Sequence, residues 1–512
     1  MARTRHCVLA TILAALVLGA CSSGGPTGPQ AEGPAPEPPR ADPPPGQGGE
    51  VPPNDEPYPD VFFENPGVNP FIDTEDDALS TFALDVDTGS YTVARRFLTD
   101  GNLPDRDSVR VEEYVNAFPT GLDAPSADPF AIGVDGGPTP FVMNERYQVA
   151  RIAIASRALP TEARPPVALT FVIDVSGSME LGTRLELVKE ALLLLVAQLA
   201  PTDTLGIVVY GTDARVVLEP TAIGESESIR DAITSLYPEG STNAEAGLLL
   251  GYDMARRGFR EEGVNRVILA SDGVANVGNT GPESILERIQ DEARDGIQLT
   301  TLGFGMGNYN DTLMEQLAND GDGMYAYIDT IDEAQRLFVD ELNATLVTVA
   351  LDAKVQVEWD PAGVERYRLI GFENRNVADD DFRDDSVEAG AIGAGHTVTA
   401  LYEIRLAEGA SGSLGTIHLR WTDPESGEPA ELARQVRAAD LAPSFETTDR
   451  HFRLATTVAA FGEVLRESIW VEDVTLATVA SEAVARATEF PDDPRVVELS
   501  DMVTRAASLG GD

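Results

Sequence analysis

Three short segments carry side chains whose types and spacing suit metal chemistry. They are Asp174-Val175-Ser176-Gly177-Ser178, Gly240-Ser241-Thr242-Asn243 and Ser271-Asp272-Gly273. Between them they offer two carboxylates, Asp174 and Asp272, and the hydroxyls of Ser176, Ser178 and Thr242. An all-oxygen set suits a hard divalent cation such as Mg²⁺, Mn²⁺ or Ca²⁺ rather than zinc. The plainer reading of the first segment is a strand-end turn whose serines cap the following helix. Ser176 lacks a G-x-S-x-G elbow, so nucleophilic catalysis is not expected there.

The elements around these segments say where they would meet. VALTFVID, ending at Asp174, is a continuous apolar run of the kind found in a strand covered on both faces. RLELVKEALLLLVAQL has helical periodicity, and LGIVVYG with ARVVLEP reads as a hairpin. SESIRDAITSL and AEAGLLLGYDMARRG read as helices, NRVILASDG as a strand, SILERIQDEARDG as a helix and IQLTTLGFG as a strand. Strands alternating with helices over residues 165–345 predict an α/β fold, a doubly wound, mostly parallel sheet flanked by helices. Ligands in that architecture bind beyond the carboxyl ends of the strands, where all three segments fall.

With those residues in place, the stretch resembles the von Willebrand factor type A (VWA) domain. DVSGS matches the D-x-S-x-S motif of that family's metal-ion-dependent adhesion site, and Thr242 and Asp272 match its remaining threonine and aspartate. The resemblance implies that Asp174, Ser176, Ser178, Thr242 and Asp272 hold a divalent cation, Mg²⁺ before Mn²⁺ or Ca²⁺. It also implies a protein ligand that offers an acidic side chain to the ion's open position. Two carboxylates balance the ion while the neutral hydroxyls leave it electrophilic, which suits that role. TFALDVDTGSYTVARRFL and SVRVEEYVNAF (within 61–160) resemble the N-terminal region of bacterial VWA lipoproteins. HTVTALYEIRL and TTDRHFRLATTVAAFGEVLRES (within 346–512) resemble the uncharacterised C-terminal domain that accompanies it. From about Leu346 the pattern is strand-like, in AKVQVEWD, RYRLIGF, HTVTALYEIRL and LGTIHLRW, so a small β-rich unit is expected, followed by helices over 449–510.

Composition narrows the function. The 512-residue chain has 37 basic and 85 acidic residues, a formal charge of −48. Such a surface repels phosphate backbones, which disfavours nucleic acid as a partner. Neither lysine, Lys189 or Lys354, follows a glycine, so a G-K-[ST] phosphate loop is absent. Four histidines without an H-E-x-x-H pair argue against a helical zinc protease, and no catalytic residues are expected. The same charge opposes an acidic protein ligand at long range, so encounter should be slow and helped by salt.

The first residues carry an address. Arg3 and Arg5 precede an apolar run from Val8 to Leu18, too short to span a bilayer, which is the layout of a secretory signal over 1–20. Leu18-Gly19-Ala20-Cys21 resembles a bacterial lipobox, which makes Cys21 the expected lipidation site and the lipid the membrane anchor. Loss of Cys7 with the signal would leave no cysteine for a disulfide. Residues 21–60 hold thirteen of the 34 prolines and read as a semi-rigid tether. The expected location is the cell envelope, with Ser22 resembling outer-membrane sorting, facing the periplasm or the cell surface in a Gram-negative host. Two roles remain open: a lipoprotein binding its ligand through the metal, or an assembly component whose metal stabilises the fold.

Weaker signals take structural readings. Asp85, Asp87 and Ser90 echo the metal motif but are expected to form a turn or helix cap. Asp379–Asp385 is expected to be a solvated loop, and Asn319–Gly323 a turn before MYAYID. His396, His418 and His451 are dispersed and expected to be structural.

Overall fold

The computed structural model describes residues 61–142, 146–273, 282–306 and 309–511. The expected signal, Cys21 and tether lie outside the described residues. The chain begins with β1 (Ile72–Asp73), β2 (Leu79–Ala83), α1 (Gly89–Thr99), α2 (Val111–Asn116), β3 (Phe130–Gly137) and β4 (Tyr147–Ser156). Then come β5 (Val167–Asp174), α3 (Arg184–Gln198), β6 (Thr204–Tyr210), β7 (Ala214–Ala222), α4 (Ser226–Thr234) and α5 (Ala244–Arg257). This second stretch continues through β8 (Val264–Ser271), α6 (Pro282–Arg294), β9 (Ile297–Gly303), α7 (Asp311–Asn319), β10 (Tyr325–Tyr327), α8 (Ile331–Gln335) and α9 (Leu342–Leu346). The last stretch has β11 (Thr348–Trp359), β12 (Val364–Ile370), β13 (Gly390–Gly393), β14 (Thr397–Leu406), β15 (Ser413–Thr422) and β16 (Pro429–Arg437). It closes with α10 (Arg450–Leu465), α11 (Leu476–Glu489) and α12 (Pro494–Gly510).

The middle stretch forms a six-stranded sheet in the order β10-β9-β8-β5-β6-β7, parallel except for β7, which pairs antiparallel with β6 as the hairpin reading expected. β5 lies between β6 and β8, so its two edges are both taken. Its side chains alternate between two cores: Leu169, Phe171 and Ile173 join the apolar residues of α3 and α4, and Val172 joins those of α5 and α7. That two-sided burial is why VALTFVID shows no polar alternation. α5 approaches closely because it presents glycines: a Cβ on Gly251 would fall 2.3 Å from Val172, and one on Gly247 2.5 Å from the Tyr210 ring.

The flanking stretches do not fold one after the other. β4 pairs with β14, β1 with β12 and β2 with β11, so strands from before and after the α/β stretch share two five-stranded sheets. One runs β1-β12-β14-β4-β3; the other is built on β11, paired with β2, β13 and β15, with β16 beyond β15. Phe82, Phe130, Ile152, Trp359, Tyr402 and Trp421 fill one core with residues of both sheets. The β-rich unit expected after Leu346 is therefore completed by strands from before residue 160, because strand periodicity marks a strand without marking its partner. The C-terminal helices bury Phe452, Phe461 and Val503 against Tyr91 and Tyr114 of the first helices and Phe118 just after α2. Among the described residues no helix is long and apolar enough to cross a membrane.

Candidate metal centre

Asp174 is the last residue of β5 and is fully buried. One carboxylate oxygen accepts the Ser176 backbone N–H at 2.8 Å, and the other accepts the Ser271 hydroxyl at 2.9 Å. Ser271 ends β8, the neighbouring parallel strand, which is how its hydroxyl reaches across. Ser176 and Ser178 lie on the turn after β5 with their hydroxyl oxygens 2.9 Å apart, and Ser178 donates to Asp272 at 3.0 Å. Asp272 follows Ser271 and is buried.

Thr242 reaches this edge by a different route. Gly240 has φ +79° and its carbonyl accepts the Gly177 N–H at 3.2 Å, while the Glu239 N–H donates to the Val175 carbonyl at 2.5 Å. These two bonds lay the 239–240 loop along the β5 turn. Asn243 then caps α5 by accepting the Ala246 N–H, which leaves Thr242, half-buried, between the turn and the helix start. The hydrogen bonds thus join Asp174, Ser176, Ser178 and Asp272, and place Thr242 on the loop beside them.

The electrostatics favour a cation. Burial, and after it the charge of Asp272, pushes the Asp174 carboxyl up to about 7. Burial also raises Asp272, opposed by Arg184 and by hydrogen bonds from Arg184 and Ser178. Adjacent ligands of an octahedral Mg²⁺ at 2.0–2.1 Å stand about 3 Å apart. The Ser176–Ser178 and Ser178–Asp272 oxygen separations of 2.9 and 3.0 Å match that edge. Ser176, Ser178 and Asp272 therefore fit a small hard cation by donor chemistry and spacing, and Asp174 and Thr242 by donor chemistry.

Two participants were not among the expected residues. Ser271 lies inside the quoted S-D-G segment, and only the strand pairing shows that its hydroxyl holds Asp174. Arg184, the first residue of α3, donates to the second oxygen of Asp272 at 2.5 Å and to the Ser178 carbonyl at 3.3 Å. It also donates to the Met306 carbonyl. Nothing in its sequence position marks it, since it reaches Asp272 across 88 residues of chain.

The weaker signals resolve as packing. Asp85 accepts the Asp87 N–H at 2.9 Å in the turn before α1, and Ser90 bonds the Ser108 carbonyl and Arg110 N–H. The carboxylates of Asp85, Asp87 and Glu315 cluster within 4.8 Å, but the Arg375 guanidinium contacts all three, at 3.0, 3.4 and 3.0 Å. In the Asp379–Asp385 run the acids are largely exposed after Phe382, which is itself buried. Asp379 accepts from Thr81, the Asp384 carbonyl from Lys354, and Asp385 from Arg420, so the run is tied down rather than loose. Residues 319–323 form the turn into β10. Burial holds His396 down at about 4, and its Nδ1 accepts the Gly393 N–H. His418 pairs with Glu431, and His451 with Asp449.

A doubly wound sheet with these motif loops on its carboxyl edge defines a protein of the von Willebrand factor type A class. The family described as “von Willebrand factor type A domain” matches residues 168–340, and “von Willebrand factor” matches 59–150. “Uncharacterized protein YfbK, C-terminal” matches 344–509. The “Uncharacterized protein YfbK” of Escherichia coli (strain K12) is 37% identical over 469 residues, 85% of this chain and 80% of that protein. This chain belongs to the YfbK family. It is also 33% identical over 199 residues to the human “Inter-alpha-trypsin inhibitor heavy chain H3”, covering 36% of this chain and 22% of that one. The solved structure “von Willebrand factor type A from Catenulispora acidiphila” superposes with a TM-score of 0.45 at 16% identity, over 73% of this chain and 89% of that chain.

Proposed function

We propose that this protein is a lipid-anchored, non-enzymatic binding protein of the cell envelope that takes a protein ligand through a divalent cation. Asp174, Ser176, Ser178, Thr242 and Asp272 hold the ion, with Mg²⁺ as the favoured occupant. The ion supplies a Lewis-acidic position at the sheet edge to which a ligand carboxylate bonds. The chain's own part is to keep the hydroxyls aimed and to hold Asp174 dry. The observation that carries this reading is the hydrogen-bonded set Asp174, Ser176, Ser178 and Asp272 with oxygen spacings of 2.9 and 3.0 Å. Cys21 supplies the anchor, read from the lipobox alone, and places the body in the periplasm or at the surface. The net charge of −48 makes the local ion the element that reverses the sign of the surface for an acidic ligand.

The test is capture of cross-linked envelope proteins on the purified protein with Mg²⁺, with EDTA, and with Asp174→Ala. A ligand retained only by the Mg²⁺-loaded wild type is the expected result. A stoichiometric complex that ignores EDTA and the substitution would instead favour the assembly role in which the metal only stabilises the fold. Substituting Cys21→Ser should move the protein from the membrane to the soluble fraction.

A further inference from the structure

The structure places a fixed cation inside the acidic half of the site. Arg184 is held at three points: Asp272, the Ser178 carbonyl and the Met306 carbonyl. Its chain lies over Gly305, whose φ is +82° and whose Cβ, were there one, would fall 2.3 Å from the Arg184 Nε. Glycine at 305 therefore provides the space in which the guanidinium lies. The side chain is 12% exposed and borders a cleft of about 570 Å³ lined also by Gly305, Met306 and Tyr327. It is a positioned group with part of its surface open to that cleft.

We propose that Arg184 makes the site bind metal and carboxylate as a pair rather than metal alone. The inference rests on the metal reading above. With an ion present, Asp174 and Asp272 alone would neutralise a divalent charge, and a ligand carboxylate would then carry the site into negative excess. Arg184 cancels one of those two charges. The ion-loaded site keeps one positive charge, which a single carboxylate neutralises. Two consequences follow from charge alone. The guanidinium repels an approaching divalent ion and lowers its affinity in isolation. A bound carboxylate relieves that excess, so each ligand tightens the other by the same factor. Arg184 acts through the charge of the site and is a positioning and selectivity residue, not an ion ligand.

The experiment is an electron paramagnetic resonance titration of free Mn²⁺ with the full-length protein, with and without saturating acetate. For wild type, acetate should tighten Mn²⁺ at least threefold. Arg184→Gln should bind Mn²⁺ at least tenfold more tightly without acetate and lose most of the acetate effect. Arg184→Lys, which keeps the charge and loses the fork, should stay near wild type on both measures. Thermal unfolding in EDTA checks that each variant folds, and if Arg184→Gln does not, Arg184→Met in the same titration takes its place. Unchanged or weaker Mn²⁺ binding in the folded neutral variant, or an acetate effect that survives the substitution, overturns the proposal while leaving the metal site standing. Failure of the wild type itself to bind Mn²⁺ removes the metal reading and this inference with it.

Discussion

Asp174 has both carboxylate oxygens bonded within the protein, one by the Ser176 amide and one by the Ser271 hydroxyl. Those bonds are what let a carboxylate stay at a fully buried strand end, since a buried acid without donors carries the whole cost of lost hydration. Ser271 is thus a support for the charge rather than a donor to the ion, and its hydroxyl also lies 2.9 Å from the Gly273 carbonyl. Removing it should be felt without metal. Ser271→Ala is expected to lower stability in EDTA by about 1–3 kcal/mol, the usual cost of leaving a buried polar group unpaired. Urea unfolding in EDTA measures this, and a second run with Mg²⁺ should show a smaller stabilisation by the ion than in wild type. A cost confined to the Mg²⁺ run would mean that Ser271 touches the ion instead.

Helix α5 connects the core to the site, because its N-terminus follows Thr242 and its glycine face lies on β5 and β6. Val172 is β-branched and buried, so it cannot swing away from an added methyl group at Gly251. Gly251→Ala should push α5 off the sheet, costing about 1–3 kcal/mol by overpacking, and should weaken Mg²⁺ binding through the displaced Thr242 loop. Thermal unfolding and Mg²⁺ calorimetry on the same preparation check both halves. Intact Mg²⁺ affinity in a destabilised variant would show that Thr242 is not positioned by this helix. At this scale much was legible in the sequence. The strands β5, β8 and β9 and the helices between them show in their apolar runs, and the Asp174 and Asp272 loops follow directly from strand ends. Less legible were the partners of β2, β4 and β12. Their periodicity is clear, but each pairs with a strand hundreds of residues away, and nothing local encodes that choice. For the same reason Arg184 stayed hidden while Asp272, its partner, stood out in a short motif.

The shared sheets turn the α/β stretch into an insertion within a body made from both flanks, and the seams between them are lined with buried charge. At these seams Arg375 bridges Asp85, Asp87 and Glu315, and Arg110 bridges Glu113 and Asp311; within the C-terminal flank Arg368 bridges Glu403 and Glu463. Apart from Arg110 and Glu113, which are three residues apart, each arginine lies 35 residues or more from its partners in the sequence, so composition gave only an acidic total and no hint that part of it is internal. Buried pairs of this kind set which arrangement is allowed more than they add to its stability. Glu112 on α2 differs from its neighbours: it is buried against Gly371 and Phe372 from the other flank, and it forms no ion pair among the described residues. Burial, with the charge of Glu373 next, pushes its carboxyl up to about 7 from the ordinary 4.5. A carboxyl raised on folding binds more protons in the folded state between those two values, so stability contributed by Glu112 falls as pH rises through them. His396, held near 4, acts in the opposite direction below pH 6.5 and is silent above it. Glu112→Gln should therefore change little at pH 4.5 and stabilise the protein at pH 8, by up to about 3 kcal/mol. Denaturant unfolding of wild type and variant at both values, in EDTA, reads the difference directly. A gap that stays constant with pH would mean that Glu112 titrates normally and that the seam between the flanks admits water.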